Sequence, residues 1–404
     1  MELKFRVRIY DVLFYMLLVL SFYFTRNTLC RVMMIVFFGY TILQQLVSRS
    51  KTPVPFYTVG FLVFILYGAV NVMLGNVLDT QLARTMVVSL LLNFLMLYAI
   101  VQYIYMTNDI QRVLKITELG IFTTAVIVLT LSFGTITQGR LGDETEINAN
   151  LLAMLCTYGF ALSMYLRKIG EITKMSHWFR LVFYMLIVLL TGSRKGLIMI
   201  AVSVCVIQLY VDRRKLLKNV LIAIVVAIAI YNLIMKVEFL YNIIGVRVES
   251  LLELLTEGST EEKSLESRQL FIEIGLSYIK EKPWTGYGYD CFMVFPRVLQ
   301  ITGGELGYYS HNNYIELLAG GGIIGFVLYY IPVLYLVVAL FKKRKVDACM
   351  PYLLAILVSK LAIEYARVSY YSRIDAYIVA VIVGCLLICP KKNTANTTDL
   401  SPEK

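Results

Sequence analysis

Apolar runs close to the length of a bilayer crossing recur along almost the whole chain. The first, IYDVLFYMLLVLSFYF, follows Lys4, Arg6 and Arg8. Roughly twenty apolar residues cross the hydrocarbon core as a helix. Backbone groups in lipid must be satisfied internally, so such runs fold as helices. About twelve runs meet this length criterion, centred on 10–25, 32–47, 56–74, 86–106, 116–133, 150–166, 179–192, 196–211, 219–235, 319–341, 350–366 and 374–390. The composition, 59% hydrophobic and 16% charged, excludes a large soluble α protein, which has too little interior to hide that surface. The expected fold is an all-α polytopic membrane protein with about twelve transmembrane helices. No sequence repeat or soluble-domain boundary appears, so residues 1–390 read as one transmembrane domain. The first run has no small-residue cleavage site and reads as an uncleaved span.

The net charge of +11 is distributed in short clusters between the runs, as topology determinants are. With the N-terminus inside, the inner segments carry Arg49 and Lys51, Arg112 and Lys115, then Arg167, Lys168, Lys174 and Arg180. They continue with Arg213, Arg214, Lys215 and Lys218, with Lys342 to Lys345, and with Lys391 and Lys392. The outer segments carry fewer: Arg26 and Arg31, Arg84, Arg140, Arg194 and Lys195, Arg367 and Arg373. Arg140 shares its loop with Asp143, Glu144 and Glu146. This arrangement satisfies the positive-inside rule. It predicts cytoplasmic termini and a large extracytoplasmic loop over 236–311. The polar stretch 391–404 reads as a disordered cytoplasmic tail.

Nucleic-acid binding is not indicated, because no basic–aromatic strand pattern accompanies the charge. There is no phosphate-binding loop, zinc spacing or disulfide framework. The seven cysteines read as small core residues, Cys291 alone lying in a long polar loop.

Within the large loop, residues 261–280 have helical periodicity. Leu265, Phe271, Ile272, Gly275, Leu276 and Ile279 form one stripe, flanked by Gln269, Glu273 and Lys280. Arg268 falls inside that stripe. It either snorkels to water or contacts an anion, for which its guanidinium fork is suited. Pro283, Gly286 and Gly288 in KPWTGYGYD predict a tight, exposed turn. TGSRKGLI, 191–198, sets Arg194 and Lys195 near the outer surface, either as interfacial anchors or as a cationic cup for a lipid-linked phosphate. Lys360 and Glu364, four apart, predict a structural pair. His177, beside Trp178, reads as interfacial. In SHNNYIE, Ser310, Asn312 and Asn313 can cap a helix, which leaves His311 unexplained. A histidine titrates near neutrality and can take a proton from a hydroxyl.

These segments together resemble the bacterial O-antigen polymerase and ligase family over roughly residues 140 to 330. GRLGDETEINAN is similar to its outer Arg…Asn segment, and TGSRKGLI to its Ser-Arg-x-Gly segment. SRQLFI and KPWTGYG resemble its Arg-bearing loop helix and Pro-x-x-Gly-x-Gly turn, and HNNYIELLAGGGIIG its His-Asn-x-Tyr segment. The resemblance implies a multi-helix fold like the C superfamily of glycosyltransferases, with no metal or cofactor. It implies that Arg194 and Arg268 hold the diphosphate of an undecaprenyl-diphosphate-linked glycan, and that His311 activates or orients the acceptor hydroxyl. Arg140, Lys195, Asn312, Arg367 and Arg373 are then expected around the substrates. The expected partners are lipid-linked donor and acceptor, the bilayer and a chain-length regulator. The expected location is the inner (plasma) membrane, with an extracytoplasmic site. Ile272 stands where the family often has an aromatic residue, which points to a different acceptor pocket. Polymerase is the leading reading, ligase the alternative. A lipid-linked sugar flippase would concentrate ionisable groups at mid-membrane in paired halves, whereas here the candidates gather on one side.

Overall fold

The computed structural model describes residues 8–24, 27–49, 51–134, 140–142, 145–211 and 263–390, with 231–245 and a few isolated positions between 212 and 250. Among the described residues the secondary structure is entirely helical. The first eight helices are α1 Ile9–Tyr23, α2 Thr28–Ser48, α3 Phe56–Met73, α4 Thr80–Thr107, α5 Ile110–Leu131, α6 Ala149–Lys168, α7 Lys174–Leu190 and α8 Arg194–Val211. Helix α9, Lys263–Glu281, and the short α10, Pro296–Ile301, belong to the large loop. The chain closes with α11 Asn313–Lys343, α12 Met350–Ile363 and α13 Arg373–Ile388. Eleven of the predicted runs therefore coincide with helices. The ninth falls mostly outside the described residues, as do Lys4, Arg6, Arg26, Asp143, Glu144, Arg213, Lys215, residues 246–248 and 250–262 of the loop, and the tail 391–404 with Lys391 and Lys392.

Seven of these helices are long and apolar enough to cross a membrane: α2, α3, α4, α5, α6, α8 and α11. Their side chains divide by position in the bundle. Helix α6 buries most of its surface, and α12 and α13 are almost wholly buried, whereas α2 leaves Val32, Ile35, Leu43, Leu46 and Val47 outside. That exposed apolar surface suits lipid, which the buried interior of α12 and α13 never meets. Several helices start on polar caps: Asp79 accepts from Leu82 N–H at 2.8 Å, Asp109 from Arg112 N–H at 3.0 Å and Asn148 from Leu151 N–H at 3.0 Å. Helix α8 packs on α12, α13 on α4, α6 on α7 and α11 on α3.

The loop elements have a small core of their own, formed by Phe271, Ile274, Phe292, Phe295 and Val298 against Ile315 and Ala319 of α11. Two sequence expectations are corrected here. The buried stripe of α9 runs through Phe271, Ile274 and Gly275, whereas Leu276 is 44% exposed. The stripe is rotated because α9 packs on α10 and on α11 at Ile315, so Ile274 faces inward. Leu265 lies outside the described side chains. The second correction concerns the glycine turn, which is docked rather than exposed. Helix α11 breaks at Gly322, with φ 63° and ψ −169°, and the turn fills the break. Tyr287 N–H donates to Ala319 O at 2.9 Å and Gly288 N–H to Gly320 O at 2.8 Å. In return, Ile323 N–H donates to Pro283 O at 2.8 Å. A Cβ on Gly286 would sit 2.5 Å from Gly320 O, so only glycine permits this approach. The docked turn fixes α9, and with it Arg268, against the helix that follows His311.

Candidate functional site

The connection between α7 and α8 is the centre of the cationic end. Gly192 takes φ 58°, allowing the chain to reverse after Thr191. The reversal brings Arg140 across: its Nε donates to Thr191 O at 2.7 Å and its Nη2 to Asn150 Oδ1 at 3.4 Å. Ser193 Oγ donates to the same Asn150 oxygen at 2.9 Å. Gly196 lets α8 close on α6, since a Cβ there would meet Ala153 at 2.8 Å. Arg194 and Lys195 begin α8, and Lys195 Nζ donates to the carbonyl of Ala366.

Four guanidinium charges act on Lys195: those of Arg268, Arg367, Arg140 and Arg194. The structure thus brings together five of the eight residues expected around the substrates, drawn from four separate segments. Arg367 is half-buried, meets Asp375 at 2.7 Å and donates to Ser372 Oγ at 2.8 Å. Arg373 stands apart, its Nη1 3.1 Å from Cys30 Sγ on α2.

His311 is the sixth member. Its backbone is left-handed, with φ 55°. Its ring lies 4.2 Å from that of Tyr309 and stacks 6.5 Å from Phe271. Burial pushes its pKa down to about 4, and the neighbouring charges of Arg268 and Lys195 push in the same direction. The imidazole is therefore neutral near pH 7, so one of its ring nitrogens carries a lone pair. The other histidine, His177 of α7, lies 3.3 Å from Ser163 Oγ.

Asn312 is the cap of α11, its Oδ1 accepting from Tyr314 N–H at 3.0 Å and Ile315 N–H at 3.2 Å. Asn313 ties α11 to the segment bearing Arg367. Its Oδ1 accepts from Ser369 N–H at 2.8 Å and Tyr370 N–H at 3.1 Å. Its Nδ2 donates to Tyr330 OH at 2.9 Å, and that hydroxyl donates to Glu364 at 2.8 Å. Glu364 pairs with Lys360 inside the protein, as the i,i+4 spacing predicted, and Ser369 Oγ bonds both. A buried pair so fully bonded fixes geometry more than it adds stability.

The sequence reading did not single out the acidic and aromatic flank. Asp290 closes the docked turn in a left-handed conformation, φ 64°, and burial pushes its carboxyl up to about 6. Glu316 is 3% exposed in the first turn of α11. Both carboxylates act on Tyr370 and Tyr371. The signal for Glu316 was its place one turn inside a capped helix; Asp290 carried no signal apart from its turn.

Six cysteines are buried, as expected of small core residues, while Cys205 of α8 is exposed. All seven are free thiols.

Fold and site together define a polytopic α-helical membrane protein with a basic cluster and a neutral histidine at one end. Residues 179–330 match a family model described as O-antigen ligase. This match supports the resemblance to the O-antigen ligase and polymerase family. It covers rather more than a third of the chain and includes Arg194, Lys195, Arg268, His311 and Asn312, whereas Arg140, Arg367 and Arg373 lie beyond it. A ligase- or polymerase-type glycosyl transfer is the coarse activity it indicates, without separating the two. No curated protein matches the chain.

Proposed function

We propose that the protein is a polysaccharide polymerase. It transfers a growing glycan from undecaprenyl diphosphate to a lipid-linked repeat unit on the extracytoplasmic side of the plasma membrane, in making O-antigen, capsule or exopolysaccharide. The carrying observation is the gathering of Arg140, Arg194, Arg268 and Arg367 around Lys195, with His311 under the charge of Arg268 and Lys195. Like charges brought together at one partly buried place suit a multiply charged anion.

In the reaction, Arg194 and Arg268 hold the diphosphate of the donor. The acceptor hydroxyl oxygen forms a bond to the anomeric carbon as the bond from that carbon to the diphosphate oxygen breaks. The electron pair leaves with undecaprenyl diphosphate, where the fixed cations stabilise it. The hydroxyl proton passes to the neutral His311 ring. Arg268 and Lys195 oppose that protonation. The negative charge of the bound donor offsets them, so His311 becomes a better base when the donor is present.

The test is purified protein in lipid with lipid-linked repeat units, read as a glycan ladder on a gel. His311→Ala and Arg268→Ala should abolish extension while expression persists. Arg268→Lys should also be impaired, because an ammonium lacks the fork. Normal ladders from both alanine variants would overturn the site. The description of the matched family supports a second reading, a ligase that passes the glycan to another acceptor. A wild-type protein that caps a foreign acceptor once, with no ladder, would establish it.

A further inference from the structure

Glu316 has no part in the bond changes above, yet it is among the most deeply buried acids of the molecule. Burying a carboxylate is costly unless it is well bonded, so what it holds is informative. Its Oε2 accepts from Ser310 N–H at 2.9 Å. Ser310 Oγ donates to Asn312 O at 2.8 Å and accepts from Asn312 N–H at 3.3 Å. These bonds bracket His311 on both sides. His311 takes φ 55° between them, a conformation that a non-glycine residue keeps only where its surroundings determine it. Beyond it, Asn312 caps α11 and Asn313 ties α11 to residues 369 and 370. In SHNNYIE, the side chains of Ser310, Asn312, Asn313 and Glu316 are all committed to holding backbone. The imidazole of His311 is the one they present.

We infer that Glu316 is a positioning residue: by anchoring Ser310 N–H it sets the left-handed turn that aims His311 toward Arg268 and Lys195. It acts through the backbone and touches no substrate. This inference rests on the transfer proposed for His311.

The experiment measures kcat and donor KM for three variants in lipid, alongside binding of undecaprenyl diphosphate. Glu316→Gln keeps an acceptor oxygen at the same reach and should stay within about threefold of wild type. Glu316→Asp keeps the carboxyl group but is one methylene short of Ser310. It should lose about tenfold or more in kcat, since small misplacements of a reacting group are expensive. Glu316→Leu should behave like Glu316→Asp, and the aspartate variant decides the matter if the leucine variant does not fold. Donor KM and undecaprenyl diphosphate binding should hold in both. The positioning role is overturned if Glu316→Asp keeps wild-type kcat, if Glu316→Gln is as impaired as Glu316→Asp, or if the loss appears in donor binding. An inactive His311→Ala beside a fully active Glu316→Asp removes only the positioning role. An active His311→Ala removes the underlying transfer reading.

Discussion

At the end of the bundle where α5 and α7 begin, basic side chains meet acids. Arg112 pairs with Asp11, whose other oxygen accepts from Tyr103 OH at 2.8 Å. Arg180 pairs with Glu118, which also accepts from Tyr184 OH at 2.8 Å. Lys115 meets Glu171 at 2.8 Å. At the opposite end, where α6, α8 and α11 begin, Arg367 is likewise paired with Asp375, but basic side chains also meet one another's fields: four arginines act on Lys195, and two of the five cations act on His311. The first arrangement neutralises charge and locks helices together. The second also accumulates cations around Lys195, which suits an anionic ligand. The residue types are the same at both ends, and only the company they keep differs.

That contrast can be broken by mutation. The largest effect is expected at the neutralised end. Glu118→Ala strands Arg180 and Tyr184 and should cost about 3–5 kcal/mol of stability in detergent unfolding, with transfer per folded molecule preserved. At the accumulated end, Lys195→Met should do the reverse. Transfer falls by about a hundredfold, while the melting temperature holds or rises because a like charge has gone. Equal losses of stability from both variants would erase the distinction.

Gly286→Ala tests the link between the loop and the bundle. Its φ is 65° and the new Cβ would meet Gly320 O, so the docked turn must move and carry Arg268 with it. A stability loss of about 1–3 kcal/mol with reduced transfer is expected, and unchanged transfer would show that the docking does not set the site.

The pH dependence is subtler. His311 has a folded-state pKa of about 4, below its ordinary 6.5, so the unfolded chain binds more protons between those values. His311 therefore costs stability as pH falls through that window, and contributes no such cost above it. For transfer, the donor-free enzyme keeps a neutral His311 well into acid. The kcat/KM profile should stay flat down to about pH 5 and fall below it. Lys195→Met removes a repelling charge, so its acid limb should move to higher pH. The smallest effect is expected from Arg373→Gln: Arg373 faces Cys30, so transfer should change by less than about threefold.

Much of the fold was legible in the sequence, because a bilayer crossing needs a long apolar run and basic residues mark its ends. Eleven helices followed from that rule. The shorter α12 and α13 show its limit, since a helix enclosed by others need not match the bilayer thickness. The site was legible in parts. Arg268 was marked by its place on an apolar stripe and His311 by its isolation, but the residues that gather with them come from separate segments. No local pattern announces that the Arg140 segment, the start of α8, α9 and the segment after α12 converge. The docked turn was misread because its glycines look the same whether they face water or a broken helix; only the break at Gly322 reveals the difference. Asp290 and Glu316 were missed because their burial depends on packing by distant residues.

The central claim is that the accumulated charge is a diphosphate site and the neutralised charge is not. The most direct measurement is equilibrium binding of undecaprenyl diphosphate to the purified protein in nanodiscs of neutral lipid. The account predicts binding that weakens about tenfold or more in Lys195→Met and Arg268→Gln and is unchanged in Lys115→Met at the other end. Equal binding by all four proteins, or a loss in Lys115→Met matching that in Lys195→Met, would contradict it.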